Sequence, residues 1–326
     1  MKAILTNGRE AVHGIFSKPE QIILKEASDA RAYLERLEKL LPQTCGELNT
    51  KLQKEIAITK AGIAGEDNIV FELKNSGIDM VVLHDIYIET ETGLSAQIDF
   101  IVVTAKLIYV IECKNLFGNI EINNSGAFIR TFEYGGKRVK EGIYSPITQN
   151  ERHLTVLNQC RVENAGAFMG LLKQWGTKAF YKPLVVLANP KTIVNDRYAK
   201  KEIKEQVIRA DQLVATIKRM NAESKEPSSS LKQMQQVAQR LLDMNMESKK
   251  DYFAKFDLLA QEAYLEKKKD KEQETEKIKS KQEELRCPKC GAELVLRTAQ
   301  KGSNAGKQFY GCKAFPKCKY IRNMEA

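Results

Sequence analysis

The sequence predicts a mixed α/β fold, a sheet flanked by helices, joined to further helical segments and a small cysteine-stapled module. Three observations carry this. Short β-branched runs between residues 81 and 134 are separated by turn signals, helical periodicity brackets them on both sides, and four of the seven cysteines crowd into the last forty residues. With 326 residues, 43% hydrophobic and 29% charged, the chain suits one sizeable core plus a smaller module and excludes a disordered polymer.

Residues 1–60 read as a helical N-terminal segment. Ser28 or Asp29 would cap a helix whose apolar stripe is Tyr33, Leu34, Leu37, Leu40 and Leu41, stopped at Pro42. A second helical stretch carries Leu52, Ile56, Ile69, Val70 and Leu73, with a break or bend expected at Gly62 and Gly65. Val81–Glu89, Ala96–Val103 and Leu107–Asn115 then read as a three-strand meander. Weaker strands follow at Asn119–Ile122 and Phe128–Tyr134, the latter closed by Gly135-Gly136. Ser145-Pro146 is a helix start, with Ser as N-cap and Pro at the first position, and its helix runs through Leu157 and on toward Leu172. Pro183–Ala188 is another buried strand, closing a sheet domain over residues 61–190. Residues 191–264 look helical with a break at Pro227–Ser230, and 265–286 form a nearly neutral charged linker, a solvated helix or a tether.

The N-terminus carries no apolar signal segment, and no run approaches the ~20 residues of a membrane helix. A cytoplasmic protein with no membrane partner is expected. Net charge is +10, of which the last forty residues supply +6, with eight basic residues against two acidic ones. That end faces a polyanion. Cys45, Cys113 and Cys160 are scattered and read as ordinary thiols of a reducing compartment.

Cys287-Pro-Lys-Cys290-Gly291 and Cys312–Cys318 give C-x2-C, twenty-one residues, then C-x5-C. Two short cysteine turns joined by a hairpin offer four thiolates in a tetrahedron, the preferred set for a structural Zn2+. Disulfides would fit the compartment poorly, and a segment this short has too little core to fold unaided. Its CPxCG, L-V-x-R, F-x-GC and P-x-C-x-Y elements resemble the C-terminal zinc ribbons of type IA DNA topoisomerases. The resemblance implies binding of single-stranded DNA without chemistry. Arg297, Lys301, Lys307 and Lys317, interleaved with Phe309, Tyr310, Phe315 and Tyr320, would supply phosphate contacts and stacking faces. Some of these aromatics must fill the small core instead, and a ribbon that binds protein remains the other reading.

Asp99, in Gln97-Ile-Asp-Phe-Ile101, precedes Glu112-Cys-Lys114 by thirteen residues. Strand alternation puts Glu112 and Lys114 on one face and Cys113 on the other. Two carboxylates and a lysine at the end of an apolar strand are the chemistry of a Mg2+- or Mn2+-dependent phosphodiesterase, in which the lysine positions or deprotonates water. The spacing alone equally describes a salt-bridged strand end.

The surrounding residues add to it. Gly65-Glu66, Gln97-Ile-Asp99, Val110–Asn115 with Gly118, and Pro146-Ile-Thr-Gln149 resemble the nuclease-related domain family over residues 62–175. The family is similar in fold to restriction endonucleases and is often joined to topoisomerase ribbons or helicases. The resemblance implies a metal-dependent deoxyribonuclease with Asp99 and Glu112 as metal ligands and Lys114 as base. Glu66 would lie near the metal, and Gln149 would orient water or phosphate, although a cap or a buried hydrogen bond would explain either. Arg152 and His153, on the same helix face, would meet a phosphate. His13 and His84 read as incidental. Ser145 and Cys113 depart from the family's usual residues but remove no catalytic group. DNA and DNA-processing proteins are the expected partners. The rival readings are a catalytically idle nuclease fold that binds DNA and a protein scaffold.

Overall fold

A computed structural model describes residues 18–26, 30–164, 180–247, 252–301, 303 and 305–323. The expected meander forms as β2 (Met80–Glu89), β3 (Ser95–Thr104) and β4 (Ile108–Lys114), paired antiparallel in sequence order. Three further strands, β1 (Gln21–Lys25), β8 (Tyr181–Leu187) and β10 (Val207–Arg209), complete a six-stranded mixed sheet in the order β1-β2-β3-β4-β8-β10. β1 runs parallel to β2, and β8 runs parallel to both β4 and β10. Pro183 sits inside β8 opposite Val110. A second sheet, in the order β7-β6-β5-β9, contains β5 (Asn119–Ile122), β6 (Phe128–Tyr134), β7 (Lys137–Ile143) and β9 (Val194–Asn195).

Helices cover both faces of the main sheet, as its apolar strands demand. On one face α2 (Gly46–Lys74) and α5 (Leu213–Glu223) bury Ile69, Leu73, Leu213 and Ile217 against Phe100, Tyr109 and Ile111. On the other, α3 (Pro146–Glu163) and α6 (Leu231–Asp243) bury Val156, Leu157, Val237 and Leu241 against Leu83, Ile101 and Val110. Each fully buried Leu or Ile of this kind contributes roughly 1.5–3 kcal/mol. Ser145 caps α3 by accepting from the Thr148 N–H at 3.4 Å, and Ser230 with Gln233 closes a reciprocal capping box on α6. α1 (Ala30–Leu40) buries the expected Tyr33, Leu37 and Leu40. The remaining helices are α4 (Lys201–Gln206) and α7 (Tyr252–Glu284). Among the described residues no helix is long and apolar enough to cross a membrane.

The chain divides into two compact units, residues 1–256 and 257–326. The second contains a three-stranded antiparallel sheet of β11 (Leu294–Thr298), β12 (Gln308–Cys312) and β13 (Ile321–Asn323). The charged run 265–286 lies mostly within α7, so it is the solvated helix.

Four expectations of local structure change. The N-terminal segment is not all helical, since Gln21–Lys25 is an edge strand reaching into both cores through Ile22 and Ile23. α2 is unbroken across Gly62 and Gly65, because packing outweighs the roughly 1 kcal/mol helix cost of each glycine. β7 was hidden by its charge: KRVKEGI is a half-exposed outer strand with no apolar face to announce it. β10 interrupts the expected helical region because Val207 and Ile208 are pulled into the sheet. The cap at Ser28 or Asp29 and the extension toward Leu172 lie outside the described residues.

Candidate active site and cysteine cluster

The alternation of β2 and β3 slips at a facing pair of aspartates. On β2, Val81 and Leu83 point toward α3 and α6, yet so do Ile86 and Ile88. On β3, Ile101 and Val103 point that way, and so do Ala96 and Ile98. The slips fall at Asp85 and Asp99, between the paired positions His84↔Phe100 and Ile86↔Ile98. Asp85 has a φ of 58°, a left-handed backbone that a non-glycine residue keeps only under constraint. Lys25 supplies that constraint, donating to the carbonyl oxygens of His84 and Asp85, while Gln97 Nε2 donates to Asp85 Oδ1 at 2.5 Å.

The β3–β4 ladder ends at Phe100↔Ile111, so the two strands part where Asp99 and Glu112 would have faced each other. Into that opening Asp99 turns its carboxylate, and Oδ2 accepts the Cys113 N–H at 2.7 Å. Glu112 is 1% exposed. Its Oε1 lies 2.5 Å from Lys114 Nζ and its Oε2 3.3 Å from His153 Nδ1. Burial, then the neighbouring Glu112 charge, holds the Asp99 carboxyl well above the usual carboxylate range, and Glu66 adds to the effect. The strand end is short of positive charge. Burial also raises the Cys113 thiol, which makes it an inert packing group.

α2 reaches this strand end because residue 65 has no side chain. A Cβ there would stand 2.7 Å from the Asn115 Cβ and 3.2 Å from Cys113 Sγ. Asn115 latches the helix through the Ala61 carbonyl at 2.6 Å, and Asn68 holds the Ala188 carbonyl at 3.1 Å. Glu66 follows on the helix, its Oε2 3.0 Å from His84 Nε2. The other nitrogen of His84 lies 3.0 Å from the Glu26 carbonyl oxygen, and the ring stacks on Phe100. His84 is therefore not incidental: it fixes Glu66. His13 lies outside the described residues.

α3 is pinned over the same strands by Asn150, which is fully buried and donates to the Val110 and Leu184 carbonyls at 2.9 and 3.0 Å. That anchoring aims His153 at Glu112 instead of at a phosphate, which corrects its expected role. Gln149 is half-buried one turn before His153, and Arg152 is exposed with its guanidinium 5.6 Å from the Tyr144 ring. Asp99 in β3 thus lies close to Glu112 and Lys114 at the end of β4, with Glu66 of α2 near enough to act on its carboxyl, while Gln149 stands on α3 one turn before His153. Two carboxylates with only partial compensation suit a hard divalent cation with oxygen ligands.

In the second unit the four cysteine sulfurs lie within 4.8 Å of one another, the one such group of three or more ligand atoms among the described residues. Cys287–Cys318 and Cys290–Cys312 are separated by 3.7 and 3.4 Å. Tetrahedral thiolates about 2.3 Å from zinc would stand about 3.8 Å apart, so the donor set fits Zn2+. Gly291, with a φ of 73°, makes the turn after the first pair. Tyr310 and Tyr320 pack on the cysteine core, as some of the aromatics had to, while Phe315 is 57% exposed. Arg297 lies across Gly311, where a Cβ would meet its Cδ at 3.0 Å, with its guanidinium 5.9 Å from the Phe315 ring. Lys301, Lys307 and Lys317 are exposed, and Phe309 is half-buried beside Gly311.

These two geometries meet two families. Residues 61–188 match the nuclease-related domain, and residues 284–326 match the topoisomerase DNA-binding C4 zinc finger. The chain carries both modules. DNA topoisomerase 1 of Methanocaldococcus jannaschii is 46% identical over 43 residues, 13% of this chain and 5% of that protein. The uncharacterized protein YrdD of Escherichia coli is 45% identical over 40 residues, 12% of this chain and 19% of that one. The chain thus matches less than a fifth of either relative's own length. No solved structure matches it significantly. Asp99 in β3 and Glu112 and Lys114 at the end of β4 fall within the residues that match the nuclease-related domain, and the four cysteines fall within those that match the DNA-binding zinc finger.

Proposed function

We propose that this protein is a metal-dependent nuclease that hydrolyses DNA phosphodiester bonds, with its zinc ribbon holding a single DNA strand. One observation carries the reading. A carboxylate that is 1% exposed, Glu112, is kept at a strand end between Lys114 and His153, with Asp99 turned into the same opening. Burying such charge is costly and adds little stability that an apolar residue would not.

Asp99 and Glu112 would hold Mg2+ or Mn2+, which when bound supplies a Lewis acid that polarises the phosphate and acidifies water. Lys114, part-exposed and paired with Glu112, donates to the attacking water and orients it, and it would take that water's proton only after giving up its own to solvent. His153 fixes the second oxygen of Glu112, so that carboxylate keeps one orientation. Glu66, fixed by His84, sets the negative field behind Asp99, and Gln149 presents an amide to water or to the scissile phosphate. In the ribbon Arg297, Lys301, Lys307 and Lys317 meet phosphates and Phe309 and Phe315 stack on bases. Tyr310 and Tyr320 are half-buried against the cysteine core, and the Arg322 guanidinium lies 5.2 Å from the Tyr310 ring. Zinc thiolates and unbridged Cys45, Cys113 and Cys160 accord with a reducing cytoplasm, where DNA-processing proteins would be its companions.

Single-turnover cleavage of single-stranded, duplex and branched DNA, and of RNA, tests this with Mg2+, Mn2+ and Ca2+. Mg2+ or Mn2+ should support cutting of DNA and Ca2+ should not. Asp99→Ala, Glu112→Ala and Lys114→Ala should each slow it on the order of 10³-fold while leaving most DNA binding. Wild-type cutting by Glu112→Ala would sink the assignment. DNA binding without cleavage by the wild type, under every metal, would instead mark an idle nuclease fold.

A further inference from the structure

The second sheet carries an aromatic surface that the chemistry above does not use. Ile120, Ile122 and Phe128 pack its inner end on Val185 and Leu187 of β8. In the parallel β4–β8 register these two stand opposite Glu112 and Lys114, so the second sheet covers the face of the main sheet on which those two side chains lie. Phe132 and Tyr134 continue the Phe128 side of β6 outward, away from the core. Phe117, three residues beyond Lys114, meets Phe132 edge-on with ring centroids 5.8 Å apart. Gly118 allows this contact. Its φ is 93°, and a Cβ would stand 2.5 Å from the Thr131 carbonyl oxygen. Phe117 is 61% exposed, Tyr134 77% and Tyr144, just ahead of α3, 58%.

Scattered exposed aromatics need no explanation, but these flank the catalytic strand end from both sides. Phe117 follows β4, and Tyr144 precedes the helix that bears Gln149 and His153. Cations accompany the rings. The Arg130 guanidinium, itself paired with Glu141, lies 4.7 Å from the Phe132 centroid, the Arg152 guanidinium 5.6 Å from Tyr144, and Lys137 pairs with Tyr134 across the hairpin. Residues 128–144 hold four basic side chains against two acidic ones. Rings alternating with cations match unpaired bases alternating with phosphates. A duplex keeps its base faces stacked on one another and offers no partner for them.

We propose that Phe117, Phe132, Tyr134 and Tyr144 form a stacking platform for the unpaired bases of a single nucleic-acid strand beside the Glu112–Lys114 site. That this strand is then cut rests on the nuclease reading; the platform itself does not.

The test uses the full-length zinc-loaded protein in Ca2+, with single-stranded oligonucleotides carrying iododeoxyuridine at successive positions. Photocrosslinked adducts are mapped by mass spectrometry. Adducts are expected on peptides containing Phe117, Tyr134 or Tyr144 in addition to the ribbon. The F117A/Y134A double variant should lose them and weaken single-strand affinity about tenfold, with duplex affinity, zinc content and Tm unchanged. F117W/Y134W should restore binding. Adducts confined to residues 287–326, or an equal loss of duplex and single-strand affinity, would overturn the platform. Platform adducts without wild-type cleavage in Mg2+ would overturn the nuclease reading alone. Cleavage in Mg2+ without platform adducts would do the reverse.

Discussion

The nuclease-related domain and the zinc ribbon assemble their functional side chains by opposite routes. The ribbon gathers four cysteines from residues 287 to 318, and its buried core is little more than Cys287, Cys312 and Leu294. Its ligand is its core. The nuclease-related domain draws Glu66, Asp99 and Glu112 from one helix and two strands, held over a sheet whose buried side chains are mostly apolar. There the fold comes first, and it can support charges that oppose one another. A metal should therefore be structural in one region and dispensable to folding in the other.

Removing zinc tests the sharper half of this contrast. Structural zinc contributes about 10–16 kcal/mol of apparent binding energy. A strong chelator should abolish amide protection across the ribbon while leaving the thermal transition of the nuclease-related domain in place. Ribbon amides that stay protected without zinc would erase the distinction.

The next effect lies in the kink. Asp85→Val puts a β-branched residue at a φ of 58° and should pull Asp99 out of position, slowing single-turnover cleavage on the order of 10²-fold. Asp85→Gly accepts that backbone and should retain most activity. Equal rates for the two variants would show that backbone strain does not place Asp99.

Salt dependence separates the regions by charge. Deleting residues 287–326 removes eight basic side chains and should flatten the log–log salt slope of DNA binding, by about 0.7 for each single-strand phosphate that the ribbon had neutralised. An unchanged slope would remove the ribbon from the phosphate backbone.

The smallest effect is on stability. The Asp99 carboxyl is raised in the folded state, so folding takes up protons between its ordinary value of 3.8 and the folded value. The wild type is most stable below that window, loses stability as pH rises through it, and carries the full penalty at neutral pH. Metal-free Asp99→Asn should then melt higher, by about 2–4 °C per kcal/mol removed, and its advantage should shrink toward pH 3.8. Added Mg2+ should stabilise the wild type and not the variant. A lower melting temperature for Asp99→Asn at neutral pH would contradict the charge crowding.

Local spacing was enough for much of this. The meander, the Ser145 cap, the cysteine tetrad and the Glu112–Lys114 pair each depend on residues near one another in the chain, where periodicity and capping act. Tertiary structure alone decided the rest. It recruited β1 and β10 into the sheet, kept α2 continuous through Gly65, kinked β2 and β3 at Asp85, and gave His84 to Glu66 and His153 to Glu112. Those contacts join residues on separate elements. No period or spacing encodes such a pairing, because its energy exists only after the helices have packed on the sheet.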